Sequence, residues 1–259
     1  MKHRDINTED DCVSVANAGG SSSVVLVCEH ASCAIPDSFG GLGLSADDRK
    51  SHAAWDPGAL GVAESLSRHL DARLVSGKIS RLVYDCNRPP DAPDAMPERS
   101  EIIDVPGNKN LTASDRRARV EAYYVPFRAA LSRTIEQISQ PIIVTVHSFT
   151  PVYHGELRTV EIGVLHDSDT RLADAMLETA RAHTRAEVLR NKPYGPEHGV
   201  THTLKEHAIS DGHLNVMLEI RNDLVVSADQ QENLGAMIAG WLVDAVGLVR
   251  VEGDVKCHA

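Results

Sequence analysis

The hydrophobic pattern divides the chain into short, nearly continuous apolar runs and longer segments with helical spacing. The runs are rich in β-branched residues and bounded by turn residues, which is typical of strands covered on both faces of a sheet. Strands are therefore predicted at residues 23–28, 73–75, 82–84, 142–146, 160–165, 187–189 and 214–220. Capping residues and apolar positions three and four apart predict helices at residues 45–55, 58–70, 112–138, 170–183, 201–207 and 228–246.

This alternation of strands and helices predicts one α/β domain over residues 23–252, with a three-layer fold: a mostly parallel mixed sheet with helices on both faces. Residues 1–22 are polar and end in glycine and serine, so we expect a flexible leader, and residues 253–259 a loose tail. Pro126 predicts a kink or break in the long helix. Residues 89–110 lack periodicity, and a loop of that length is typically a functional lid or disordered.

The charge of the chain argues against a polyanion as its main partner. Asp and Glu number 37 against 26 Lys and Arg, which gives a formal net charge of -11. We therefore expect no nucleic-acid partner and no anionic-membrane surface. The sequence contains no apolar run of about 18 residues, so we expect no membrane span. Five cysteines without a CxxC pair or a signal-peptide pattern favour the reducing cytoplasm, and base rates favour a homodimer.

Two of the predicted strands have a histidine just past their ends: His147 follows its strand directly, and His30 follows after Glu29. Ligands of open α/β sheets bind outside the carboxyl ends of the strands, so the two imidazoles could converge there. Two histidines, a carboxylate and an open water position are typical of zinc hydrolases. Asp56, at a helix-breaking Asp-Pro-Gly turn, is one candidate for the third ligand. Glu29 and Cys33 are its rivals, and spacing alone does not choose among them.

A glutamate near the end of the last predicted strand is placed for proton transfer. A water on zinc ionises near neutral pH, and Glu219 could take that proton and pass it to a leaving amine. The alternative is an ion pair between Glu219 and Arg221 at the same strand end. Ser148 is more typical of a loop hydrogen bonder than of a nucleophile, because no Gly-x-Ser-x-Gly elbow surrounds it.

The other histidines form no second metal motif. His198, His202 and His207 have no tight zinc spacing, and we interpret them as loop and helix-face residues. His52 lies four residues before Asp56 and could bind a metal or orient a ligand, but a helix-surface position is the simpler interpretation.

Five segments of the chain, in this order, resemble the N-formylglutamate amidohydrolase family. They are Cys-Glu-His-Ala-Ser-Cys-Ala-Ile-Pro, His-Ala-Ala-Trp-Asp-Pro-Gly-Ala, Ser-Arg-Leu-Val-Tyr-Asp-Cys-Asn-Arg-Pro, Val-His-Ser-Phe-Thr-Pro and Leu-Glu-Ile-Arg-Asn-Asp-Leu. The family is similar to zinc carboxypeptidases and to the aspartoacylase and succinylglutamate desuccinylase group. The resemblance therefore implies a zinc-carboxypeptidase-like (phosphorylase/hydrolase-like) fold, one zinc ion and hydrolysis of an N-acyl amide on an acidic amino acid.

The resemblance also implies roles for individual residues. His30 and His147 match the first and last zinc ligands of the wider group, and Glu219 matches its general base and acid. Asn87 and Arg88 match a pair that holds a substrate carboxylate.

Further matches concern the carbonyl of the substrate and the second metal ligand. Arg81 matches the arginine that polarises the scissile carbonyl, and Tyr194 resembles the lid tyrosine of carboxypeptidases. The carboxypeptidase pattern would place a glutamate where this chain has Cys33, and Asp56 fits the formylglutamate branch better. Ser148 and Arg221 are added to the predicted substrate-binding residues.

Together these inferences predict a metal-dependent amidohydrolase that converts N-formyl-L-glutamate and water into formate and L-glutamate, in a route such as histidine catabolism. The expected cofactor is one zinc ion, with another divalent metal as an alternative. A different N-acyl amino acid or a small peptide is the alternative substrate. A metal-binding or ligand-binding homologue without catalysis is the alternative function.

Overall fold

One mixed sheet forms the centre of the protein. The computed structural model describes residues 12–249, 255 and 257, and seven strands of that part of the chain form the sheet in the order β1-β3-β2-β4-β7-β5-β6. The strands are β1 (Val13–Ala16), β2 (Val24–Cys28), β3 (Arg73–Gly77), β4 (Ile142–Phe149), β5 (Ile162–Leu165), β6 (Val188–Arg190) and β7 (Leu214–Arg221). The long strand β4 therefore lies between β2 and β7.

Most strand pairs in the sheet are parallel. Strand β2 runs parallel to β3 and β4, β4 to β7, and β6 to β5. The pairs β1–β3 and β5–β7 are antiparallel. The prediction of a mostly parallel mixed sheet is confirmed, and the carboxyl ends of β2, β4 and β7 share one edge of the sheet.

Helices cover both faces of the sheet. They are α1 (Ala59–Leu70), α2 (Ala113–Arg119), α3 (Val125–Glu136), α4 (Arg171–His183), α5 (His202–His207) and α6 (Ala228–Val249). The apolar sides of α1, α4 and α6 form one core with the sheet, and those of α3 and α5 belong to the core on the opposite face. The predicted three-layer α/β architecture is therefore confirmed.

Burial on both faces explains the continuous apolar runs. Every residue of β2 and β4 is buried. Leu26 and Val144 belong to the core with α1, whereas Val25 and Ile143 belong to the core with α3. Because successive side chains of a strand point to opposite faces, both kinds of position must be apolar here.

The long helix predicted at residues 112–138 is interrupted. Thr112 caps α2 through a reciprocal capping box with Asp115. One π-helical turn, Val120–Tyr124, then separates α2 from α3. Pro126, which lacks the N–H of an i→i−4 bond, lies just after this turn in α3. The irregularity predicted from Pro126 is thus present just before it as a π-helical turn, while the backbone on both sides stays helical.

The predictions of a strand at residues 82–84 and of a helix at residues 45–55 are wrong, because tertiary hydrogen bonds determine the backbone there. Residues 82–84 form a buried turn, closed by a bond from the Val83 N–H to the Ser80 carbonyl, and their apolar side chains fill the core without forming a strand. Residues 45–55 contain only the short 3-10 turn Asp48–Lys50. The carbonyl of Ala54, which a continuing helix would use, accepts the Ser80 hydroxyl instead.

The predicted flexible leader is wrong for residues 12–22. Strand β1 lies there and pairs with β3 at the sheet edge. Only its first residue, Val13, is buried, so this short Val-Ser-Val-Ala segment has no long buried run that would mark it as a strand. Residues 1–11 of the leader, and the tail except positions 255 and 257, lie outside the described residues.

The expectation that no segment is long and apolar enough to span a membrane is wrong for helix α6. Among the described residues, this helix alone passes by length and composition, with 22 residues and a mean hydropathy of 1.3 in its most apolar window. It packs between α1 and α4 as a core helix. Trp241 is completely buried, and its indole N–H donates to the Met176 carbonyl at 2.8 Å.

We expect Trp241→Ala to destabilise the protein by about 3–5 kcal/mol, because it leaves a large cavity between α4 and α6. Chemical denaturation of the purified variant measures this change. Leu248→Ala is the matched control on the same helix: Leu248 is 51% exposed, and its replacement should change the free energy of unfolding by about 0.5 kcal/mol or less. Equal effects of the two changes would contradict the core position of Trp241.

Candidate metal centre and active-site pocket

Three neighbouring strands bring the candidate site together at the carboxyl edge of the sheet. His30 lies two residues after the end of β2, and His147 lies inside β4, two residues before its end. Glu219 of β7 is directly opposite His147 in the parallel register. The sequence placed His147 just beyond its strand, but the strand continues to Phe149 because the site edge is itself buried.

The turn before α1 adds a carboxylate to this edge. The backbone N–H of Asp56 donates to the His30 carbonyl at 2.9 Å, which fixes the turn beside β2. Gly58 follows with a φ of 83°, and a Cβ there would lie 2.5 Å from the carbonyl oxygen of Val225. Glycine is therefore required for the turn that points Asp56 at the histidines.

One atom from each of three buried side chains forms a compact triangle. Nδ1 of His30 lies 3.2 Å from Oδ2 of Asp56, Nδ1 of His147 lies 3.0 Å from the same oxygen, and the two nitrogens are 3.3 Å apart. Tetrahedral zinc with bonds of about 2.0–2.1 Å keeps its ligand atoms about 3.3–3.4 Å apart. The three side chains, two imidazoles and a carboxylate, thus fit a metal ion in both chemistry and spacing.

Each imidazole has a second carboxylate at its other nitrogen. Nε2 of His30 hydrogen-bonds Oδ1 of Asp85 at 2.7 Å. Nε2 of His147 lies 3.1 Å from Oε2 of Glu29, in contact but outside hydrogen-bonding geometry. Carboxylates behind histidine ligands are a regular feature of metal sites, where they orient the ring and raise its basicity.

The buried carboxylates favour positive charge at the centre of the cluster. Burial lowers the pKa of both imidazoles, but the acids outweigh it. Asp85 and Asp56 raise the pKa of His30 above its ordinary value. Glu29 and Asp56 raise the pKa of His147 well above its ordinary value. Either protons or a metal cation would satisfy this field.

A cavity of about 270 Å³ opens on the cluster. Glu219 lines it with only 5% of its surface exposed, and its Oε2 has no hydrogen-bond partner among the described residues. Burial raises the pKa of Glu219 to about 7, although the nearby His147 opposes the shift. The cavity therefore presents an unpartnered carboxyl group beside the three metal-ligand candidates.

The long loop at residues 89–110 reaches the mouth of this cavity, which Ser100 and Glu101 help to line. The Glu101 carboxylate accepts a hydrogen bond from Nε2 of His52 at 2.6 Å and another from the backbone N–H of His154 at 3.1 Å. One acidic side chain thus joins three separate segments around the opening. His52, interpreted from sequence as a helix-surface residue, is part of this contact.

A family model described as N-formylglutamate amidohydrolase matches residues 22–226, which is most of the chain. The chain belongs to the N-formylglutamate amidohydrolase family. The family resemblance predicted from the sequence is therefore confirmed. A comparison with curated proteins finds no match.

Solved structures similar to this family member agree in fold. A gene product of Agrobacterium tumefaciens is 52% identical with a TM-score of 0.91, over 95% of this chain and 99% of its own. The N-formylglutamate amidohydrolase of Ralstonia eutropha JMP134 is 18% identical with a TM-score of 0.63, over 92% and 97% of the two chains. An aspartoacylase family protein of Mesorhizobium loti, 13% identical with a TM-score of 0.38, covers 90% of this chain and 60% of its own and is too distant to bear on the fold.

The three candidates for the remaining metal ligand occupy different places in this family member. Asp56 belongs to the triangle with the histidines. Glu29 contacts only the far nitrogen of His147. Cys33 lines a separate cavity with Ile35 and other neighbours that do not belong to the candidate site. The turn at residues 56–58 therefore brings the Asp56 oxygen to the two histidines. The spacing of the sequence alone had not chosen among the three candidate ligands.

Two of the arginines predicted for the site line the cavity: Arg81, predicted to polarise the scissile carbonyl, and Arg88, predicted to hold a substrate carboxylate. Arg81 donates to Asp85 at 2.9 Å and to Asp56 at 3.4 Å, so it braces the carboxylates of the cluster. Arg88 donates through Nε to Asp94 at 2.7 Å. Asn87 also lines the cavity, but its side chain is occupied by main-chain partners.

The other predicted substrate-binding residues divide into two groups. Ser148 and Tyr194 line the cavity, and the Ser148 hydroxyl donates to the Pro57 carbonyl at 2.8 Å. Arg221 is not a cavity-lining residue. Its guanidinium bonds Asp223 at 2.8 Å and approaches Glu161 at 3.4 Å, so the alternative pair with Glu219 is not formed.

The sequence did not point to two residues that support the site from behind the cavity wall, Asp85 and Arg158. Asp85 was visible in the Tyr-Asp-Cys-Asn-Arg segment but was given no role there. No sequence motif indicated Arg158, because its role depends on packing. Its guanidinium lies 4.3 Å from the Tyr153 ring centre and donates to the Tyr194 hydroxyl at 3.0 Å. Arg158 thereby orients a tyrosine of the cavity wall.

We expect Asp85→Asn to weaken metal binding about 10–100-fold, because His30 would lose the negative charge behind its ring. Competition with a chromophoric chelator measures the affinity. Asp104→Asn, at an exposed acid of the same loop region, is the control and should leave the affinity unchanged. An unaltered affinity in Asp85→Asn would separate Asp85 from the metal site.

Proposed function

We propose that this protein is a zinc-dependent amidohydrolase that cleaves N-formyl-L-glutamate into formate and L-glutamate. The observation that supports this most is the triangle of His30, Asp56 and His147 beside the unpartnered carboxyl group of Glu219. Membership of the family, and the name of the Ralstonia structure, support the substrate.

His30, Asp56 and His147 would hold the metal ion. Two imidazoles and one carboxylate suit zinc, with other divalent metals as alternatives. When bound, zinc would act as a Lewis acid and lower the pKa of a water molecule to near neutrality. The carboxylates behind the histidines keep Nδ1 of each ring directed at the site.

Glu219 would carry the proton in the reaction. Its Oε2 accepts a proton from the attacking water and returns it to the nitrogen that leaves as the α-amine of glutamate. The neighbouring Arg81 retains N–H donors beyond those bound to Asp56 and Asp85. These donors would stabilise the negative charge that develops on the carbonyl oxygen of the substrate.

Arg88 would hold a carboxylate of the substrate, since a guanidinium binds a carboxylate in a two-pronged geometry. Asn87 supports this arrangement from behind: its amide donates to the Val200 carbonyl at 2.6 Å, and its carbonyl accepts from the Thr203 N–H at 3.0 Å. Tyr194 and Ser148 would complete the substrate wall.

The wider inferences are proposals of the same kind. The zinc-carboxypeptidase-like fold and a single domain over residues 23–252 remain predictions. None of the five cysteines, all of which the structure describes, forms a disulfide, and a reducing cytoplasm is kept as a prediction. A homodimer and a role in histidine catabolism are kept as predictions.

Metal analysis of the purified protein, together with formate release from N-formyl-L-glutamate before and after chelation, tests the proposal. We expect one zinc ion per chain and turnover that chelation removes and zinc restores. Metal without turnover would favour another N-acyl amino acid or a small peptide as substrate. Neither metal nor turnover, even after zinc is added, would favour a homologue without catalysis and reject the mechanism.

A further inference from the structure

The loop at residues 195–201 is joined to the proposed carboxylate site. Nη1 of Arg88 donates to the Gly199 carbonyl at 3.1 Å, and the Asn87 amide donates to the Val200 carbonyl at 2.6 Å. His198 precedes these two carbonyls and lines the cavity. The loop that carries His198 is therefore tied to Arg88 and Asn87, and His198 and Arg88 line the same cavity.

The hydrogen bonds of this loop determine which nitrogen of His198 carries the proton. The short turn Pro196–His198 is closed by a bond from the His198 N–H to the Gly195 carbonyl at 3.0 Å. In return, the Gly195 N–H donates to Nδ1 of His198 at 3.0 Å. A nitrogen that accepts a hydrogen bond holds no proton, so the neutral ring carries its proton on Nε2.

Nε2 of His198 is a donor without a partner among the described residues. The side chain is 53% exposed and lines the cavity. The Glu197 carboxylate, 70% exposed, lies 3.5 Å from Nδ1 of the ring. Tyr194 packs edge-on to the ring with centres 6.3 Å apart and limits its rotation.

We propose that His198 is a specificity-determining residue that binds the substrate carboxylate together with Arg88. An N–H donor in the same cavity as a guanidinium favours the binding of an anion. Because Nε of Arg88 already donates to Asp94, a second donor is needed to satisfy the substrate carboxylate. This inference rests on the proposed function, and it assigns to His198 a role that its sequence position did not indicate.

Two substitutions separate the donor at Nε2 from the structural bond at Nδ1. In His198→Asn, the amide oxygen replaces Nδ1 as acceptor for the Gly195 N–H, but no donor remains at the position of Nε2. In His198→Gln, the amide nitrogen reaches the position of Nε2. His183→Asn, on α4 and outside the cavity, controls for the loss of a histidine.

We expect His198→Asn to raise KM for N-formyl-L-glutamate about tenfold or more, with kcat changed less than about twofold. His198→Gln should recover most of this loss, and calorimetry should show the same order for the Kd of L-glutamate. His183→Asn should match the wild type. Equal KM in the wild type and His198→Asn would overturn the inference, as would a Gln variant no better than the Asn variant.

The failure of this inference and the failure of the proposed function give different results. If the zinc-loaded wild type turns over and His198→Asn behaves identically, the function stands and the role of His198 is rejected. If the zinc-loaded wild type neither releases formate nor binds L-glutamate, both are rejected.

Discussion

Glu219→Gln lowers turnover of N-formyl-L-glutamate by about 10²–10⁴-fold while the metal content stays at the wild-type level. The substitution keeps the shape of a side chain that is 5% exposed and replaces only the group that can accept a proton. Glu219 contributes no atom to the triangle of ligand atoms, so its substitution should leave metal binding intact. Formate release under saturating substrate, together with metal analysis of the same sample, measures both effects.

Glu178→Gln, an exposed residue of α4, is the matched control and should retain full activity. Wild-type turnover in Glu219→Gln would remove Glu219 from proton transfer. Loss of metal together with loss of activity would instead indicate that Glu219 acts as a ligand, which would contradict the assignment to the three-residue cluster.

Asp56→Ala should lose both metal and activity, and the loss of affinity should exceed the 10–100-fold expected for a residue behind the ligands. Asp56 contributes the oxygen that lies 3.2 Å and 3.0 Å from the two histidine nitrogens. Removing it leaves two imidazoles without the oxygen donor that completes the triangle of ligand atoms. Metal analysis after dialysis against a weak chelator measures the effect.

Cys33→Ser is the comparison variant, because Cys33 was the rival ligand in the sequence and lies in another cavity of the structure. We expect it to retain metal and turnover at wild-type levels. Loss of metal in Cys33→Ser, together with retention of metal in Asp56→Ala, would reverse the assignment of the third ligand. Circular dichroism of both variants separates these results from loss of folding.

The sequence predicted the sheet and its helices well where the pattern was local and continuous. Strand β4 is buried at every position, so its apolar run survives as a signal. Helices α1 and α4 have one apolar face and clear ends. The prediction failed at residues 45–55 and 82–84, where tertiary hydrogen bonds around Ser80 determine the backbone.

The candidate site was predictable only in part. His30, His147 and Glu219 follow from strand ends and the shared direction of parallel strands, because topology alone brings those ends to one edge. Spacing alone could not select Asp56, since the Asp-Pro-Gly turn is distant in sequence from both histidines; only the family resemblance favoured it. The position of Arg221 has the same cause: its strand ends at the edge of the site, but its side chain bonds Asp223 and approaches Glu161.

The amino-acid sequence by itself determined the architecture, the family and the identity of the chemical groups at the sheet edge. These features depend on periodicity and on short motifs, which are properties of neighbouring residues. The tertiary structure alone placed Asp85 and Glu29 behind the histidines and Glu101 and His198 in the cavity lining, and it brought the oxygen of Asp56, which spacing had left open, to the histidine nitrogens. Those contacts join residues far apart in the chain, so their distances exist only once the core has packed.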